Sequence, residues 1–141
     1  MKKSTFALIG SISITTLIVQ ANPNDEIQSK TKIVLGTGTE KDAEEALSIV
    51  KQFLDKWESK DYDAAIEFVY EPIRKDFKKE ITKKSMKLQS IDEIKLIKNK
   101  NIIRARVDVS ADPDPRRPDL TKRQFMVDMF YLNGKWWVAA R

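Results

Sequence analysis

The spacing of apolar residues changes once along this chain, near residue 85, and that change constrains the fold more than any other feature. Before it, Ala43, Ala46, Leu47, Val50, Leu54 and Trp57 recur three and four residues apart, with Phe53 beside them. A helix gathers such positions on one face. Thr39 can cap this helix, and Asp42 stands where an acid reaches back to the cap backbone. Glu40, Glu44 and Glu45 add negative charge to the first turns, where the helix dipole favours it. Ser59-Lys60-Asp61 breaks the pattern, and Asp61 can cap a second, short helix through Ala64, Ala65, Phe68 and Val69. Pro72 ends that helix or opens a third, in which Ile73, Phe77 and Ile81 share a face. Arg74, Lys75, Lys78, Lys79, Lys83 and Lys84 occupy its other faces.

Beyond residue 85 the pattern turns strand-like. Ile91, Ile94, Leu96 and Ile97 form one run, closed by the turn signal Asn99-Lys100-Asn101. Ile103, Ala105, Val107 and Val109 then alternate with Arg104, Arg106, Asp108 and Ser110, which gives one buried and one wet face. Three prolines exclude residues 112–119 from any strand or helix interior. Residues 124–132 read as a strand that is apolar on both faces except at Asp128. Asn133-Gly134 is a strong hairpin signal, because both central residues of that turn need positive φ. A last strand from Lys135 bears Trp136 and Trp137, one of which must face away from the other. The expected architecture is α+β: three N-terminal helices packed on a four-stranded antiparallel sheet.

The amino terminus gives an address. Lys2 and Lys3 precede an apolar run over residues 6–19, and Val19-Gln20-Ala21 has the form of a cleavage site. The run is shorter than the roughly 20 residues a membrane-spanning helix needs. Residues 1–21 are therefore expected to be a signal peptide cut near Ala21, with retention as an anchor the alternative. The mature protein is expected to be periplasmic or secreted. Residues 22–38 read as a flexible lead-in and residues 39–141 as one domain.

Composition removes whole classes of chemistry. There is no cysteine, so lipidation after cleavage, disulfides, thiol catalysis and Cys-ligated metal centres are excluded. There is no histidine, which removes His-based metal sites, Ser-His-Asp triads and the usual general base near neutral pH. No cofactor is expected. Asp112, Asp114 and Asp119 lie among prolines without the glycine-bearing loop of a calcium site, so no metal is expected either. Charge is segregated: residues 40–71 carry 10 acids against 4 bases, and residues 74–104 carry 11 bases against 4 acids. Such a layout suits an anionic surface or an acidic partner, and Arg74, Lys75, Lys78, Lys79 and Lys83 are the candidates for contact with an anionic surface, a membrane surface included. Nucleic acid is not an expected partner, since no aromatic interleaving or known module accompanies the basic residues.

The long first helix with an aromatic near its end, the run Lys60-Asp61-Tyr62-Asp63-Ala64-Ala65, and the closing Phe130-Tyr131-Leu132-Asn133-Gly134-Lys135-Trp136-Trp137-Val138 resemble small secreted members of the nuclear transport factor 2-like superfamily. The resemblance spans roughly residues 40–141. It implies a cone-shaped domain, a curved sheet around an apolar pocket closed by the first helix, and pairing of two copies through the sheet. Trp57, Tyr62, Phe68 and Trp136 are then the candidate pocket walls. Enzymatic members place an Asp with His or Tyr inside the cone, whereas this chain has no histidine and no catalytic residue is assigned. Asp108 and Asp128 are the acids within expected strands. An outer-face ion pair joining Asp128 to Arg104 or Arg106 is the plain expectation. A carboxylate in an apolar pocket would have a raised pKa and could act as a base.

Three functions follow as expectations. The first is a non-enzymatic extracytoplasmic domain that binds a small apolar ligand or an envelope protein. The second is an accessory component of a secretion- or conjugation-like envelope assembly. The third is an isomerase or hydrolase using a buried Asp or Tyr.

Overall fold

The computed structural model describes residues 31–99 and 101–140. The expected signal peptide (residues 1–21) and most of the expected lead-in (residues 22–38) lie outside the described residues. The element order is β1 (Lys32–Val34), α1 (Glu40–Glu58), α2 (Tyr62–Ala65), α3 (Arg74–Thr82), β2 (Leu88–Asn99), β3 (Ile102–Ala111), β4 (Arg123–Leu132) and β5 (Lys135–Ala140). Short 3-10 turns at Ile66–Phe68 and Glu71–Ile73 join α2 to α3. Among the described residues no helix is long and apolar enough to cross a membrane.

The capping box at the start of α1 forms as the sequence predicts. Thr39 Oγ1 accepts from the Asp42 amide and Asp42 accepts from the Thr39 amide, each at 3.1 Å. At the other end Lys60 takes the left-handed conformation with φ 65°. Its amide donates to the Trp57 carbonyl and the Asp61 amide to the Lys56 carbonyl, which closes a Schellman turn without the usual glycine. Ala43, Ala46, Leu47, Val50, Phe53, Leu54 and Trp57 form the buried stripe of α1.

The sheet is ordered β1-β2-β3-β4-β5 and has five strands where the sequence pattern predicts four. The extra strand comes from the expected lead-in. Lys32, Ile33 and Val34 pair in parallel with Glu93, Ile94 and Lys95. Just before them, Thr31 is buried and donates its hydroxyl to the Ile91 carbonyl at 2.7 Å. The other four strands form the expected antiparallel meander. Asn133 and Gly134 turn the last hairpin with φ 53° and 80°. A register shift between Ile91 and Glu93 makes Asp92 an extra residue, so Ile91 and Ile94 both face inward although they are three apart. On the far flank, Val69 bridges Val138 in parallel, and the Tyr70 amide donates to the Val138 carbonyl at 2.9 Å.

One apolar cluster joins the helices to the inner sheet face, where Ile94, Leu96, Ala105, Val107, Val109, Val127, Met129, Trp136 and Val138 lie buried. Aromatic rings fill the space under α1. Phe53 lies 5.9 Å from Trp57 and 5.7 Å from Phe77, and Trp57 lies 5.6 Å from Phe125.

Candidate functional site

The sequence-derived pocket walls do not share one environment. Trp57 is only 1 % exposed, and its indole N–H donates to the carbonyls of Ile81 at 3.1 Å and Lys84 at 3.0 Å. It ties the end of α1 to the end of α3 and occupies the core. Tyr62 and Phe68 are half-buried and pack against that core. Trp136, 3 % exposed, meets the Tyr131 ring edge-on at 5.5 Å. It also lines a cavity of about 290 Å³ between α1 and the closing hairpin, with Glu45, Ser48, Ile49 and Tyr131. Its indole N–H is buried with no hydrogen-bond partner among the described residues. Its neighbour Trp137 points to the opposite face. There it lies beneath the Lys135 ammonium at 4.7 Å and the Arg74 guanidinium at 6.0 Å, and donates to the Leu132 carbonyl at 3.2 Å.

The five candidate cations separate in the same way. Arg74 is drawn inward, with Nε donating to the Val69 carbonyl at 2.9 Å and Nη2 to the Glu67 carbonyl at 3.3 Å. Lys78 pairs with Asp63 at 2.6 Å. Lys75, Lys79 and Lys83 are exposed, on the side of α3 away from its buried residues Phe77 and Ile81.

The outer face of the sheet is a second candidate surface, away from the expected pocket walls. Strand register sets three rows across it. The first is Glu93, Asp108 and Met126; the second is Lys95, Arg106 and Asp128; the third is Ile97, Arg104, Phe130 and Trp137. Arg106 Nε reaches Asp128 at 3.2 Å, the cross-strand ion pair expected from the alternation. Asp128 is therefore paired on a half-exposed face, away from the apolar interior. Ile97, Ile102 and Met126 are exposed although they are large and apolar. Two concavities open on this face. One of about 290 Å³ is lined by Ile97, Arg104, Asp128, Phe130 and Ala139, and one of about 440 Å³ by Asp92, Glu93, Asp108, Gln124 and Met126. At the bulge, Asp92 accepts hydrogen bonds from the hydroxyls of Ser90 and buried Ser110. The signal for this face was the double-sided apolarity of residues 124–132.

The loop between β3 and β4 is stapled by local ion pairs. Arg116 donates to Asp114 and Arg117 to Asp119. The Arg116 hydrogen bonds hold the Asp114 carboxyl well below the usual carboxylate range, and Arg117 lowers that of Asp119.

No family model matches the chain, and no curated protein matches it either.

Proposed function

We propose that the mature chain is a non-enzymatic, extracytoplasmic docking domain of an envelope assembly, and that the outer face of its sheet receives a second copy of itself. The nuclear transport factor 2-like assignment and its cone belong to this proposal and rest on the sequence resemblance. The observation that carries the reading is the contrast within the sheet. The space beneath the C-terminal half of α1 is filled by Phe53, Trp57 and Phe77, while the outward side leaves Ile97, Ile102 and Met126 in water beside two concavities.

Charge favours a copy of the same chain as the occupant. Acids lie in the first row, at Glu93 and Asp108, and Arg104 lies in the third. A two-fold axis along the middle row sets Asp108 of each copy over Arg104 of the other and Met126 over Phe130. The row on the axis keeps one uncompensated charge per copy, that of Lys95, because Asp128 offsets Arg106. Such an isologous contact needs no second surface.

Sedimentation equilibrium of the purified chain tests this. A dimer is expected, and Ile97→Glu combined with Met126→Glu is expected to yield a folded monomer. A parent chain that stays monomeric at every concentration and binds a different envelope protein through this face refutes self-pairing.

The cavity at Trp136 supports a second reading, a small apolar ligand held by Ile49, Tyr131 and Trp136. Native mass spectrometry of protein recovered from its envelope is expected to retain that ligand, and Trp136→Phe to weaken it. A bare mass ends this reading.

A further inference from the structure

We infer that the edge formed by α3 and β5 docks on an anionic phospholipid surface. Two independent features meet there. The first is the stripe Lys75, Lys79 and Lys83, spaced four residues apart and exposed, while Phe77 and Ile81 hold the opposite side of the helix in the core. The second is Trp137, a half-buried outward aromatic with two cations near its ring, Lys135 at 4.7 Å and Arg74 at 6.0 Å. Arg74 belongs to both features: it opens α3, and its guanidinium reaches the indole on β5. An indole at a basic edge matches a bilayer interface, where the ring sits at headgroup level and the ammonium groups meet lipid phosphate.

The charge balance supports this edge. Residues 74–84 carry six basic residues against Asp76 and Glu80. Lys78 is engaged by Asp63, which leaves the lysine stripe as the outward charge. No apolar insertion beyond the indole is needed, so attachment is electrostatic and salt-sensitive. Trp137 ends the third row of the outer face, so what sets this docking apart from pairing through that face is the lysine stripe, which lies on α3 and outside the rows.

Cosedimentation of the full chain with vesicles tests the inference. Phosphatidylcholine vesicles set the baseline, including any contribution from the apolar amino terminus, and vesicles with added phosphatidylglycerol supply the anionic surface. The parent chain is expected to bind the anionic vesicles more tightly, with the excess lost at high salt. Replacing Lys75, Lys79 and Lys83 together by Gln is expected to weaken anionic binding by roughly 100-fold, from about a factor of five for each cation near the surface. The same variant should match the parent on neutral vesicles. The emission of Trp137 is expected to shift to the blue on anionic vesicles and to lose that shift in Trp137→Phe, since Trp57 and Trp136 are already buried. Equal binding to both vesicle types, an unaffected triple variant, or binding without any change at Trp137 overturns the inference. The Ile97→Glu, Met126→Glu chain should bind these vesicles like the parent, so this result and the dimer result fail independently.

Discussion

Met129 and Met126 stand three residues apart on β4 and face opposite ways. Met129 is 1 % exposed against Val138 and Ala105, while Met126 is 48 % exposed beside Asp108. The same side chain thus anchors the fold on one side and offers a contact on the other. Alternation alone cannot separate these roles, since both positions are apolar. What separates them is which side of the sheet the helices cover.

The sharpest way to break that contrast lies in the covered layer. Trp57→Ala removes a ring packed on Phe53 and Phe125 and takes away the indole donor to the Ile81 and Lys84 carbonyls. A loss of about 3–5 kcal/mol is expected in urea unfolding, enough to threaten a domain of this size. The methionine pair comes next. Met129→Ala should cost about 2–5 kcal/mol, whereas Met126→Ala should stay within about 0.5 kcal/mol and act only on association. Equal costs at the two sites would mean that the outer face is also core.

Two left-handed positions sharpen the comparison at smaller scale. Gly134 has φ 80° with nothing within 4 Å of an added Cβ, so Gly134→Ala should cost about 1 kcal/mol through backbone strain alone. Lys60 already bears that strain at φ 65°, and Lys60→Gly should raise the thermal midpoint by the equivalent of about 0.5–1 kcal/mol. The smallest effect belongs to the proline-rich loop. Two of its carboxyls, those of Asp114 and Asp119, are lowered by arginine, so their pairing persists above the ordinary carboxylate value of about 4 and is lost as pH falls through the lowered folded values. Amide shifts of residues 114–119, followed by NMR, should hold steady from neutral pH to about pH 4 and move only below it.

The parts legible in the sequence were those set by local periodicity. α1, its cap, the wet alternation of β3 and the Asn133-Gly134 turn each depend on neighbours within a few residues. β1 was not legible. It has three residues in a polar stretch, and its partner lies about 60 positions away, so only tertiary structure makes it a strand. The bulge at Asp92 had left a trace in the three-residue gap between Ile91 and Ile94, where strict alternation demands two. For the site, Trp57 shows the limit of composition: an aromatic at helical spacing looks the same whether it walls a pocket or fills a core. The outer strip was readable in outline, because residues 124–132 leave few polar positions for a wet face.

Val69 and Tyr70 run beside Val138 for only a bridge and one hydrogen bond, yet they change what the sheet can recruit. A bare flank on β5 would offer unpaired amides to any extended chain, the usual start of runaway strand addition and fibrils. With that border partly occupied, and the opposite border ending in a strand of three residues, lengthening the sheet sideways is disfavoured. In the proposed pairing, contact between copies is thereby left to the face of the sheet rather than to its strand edges.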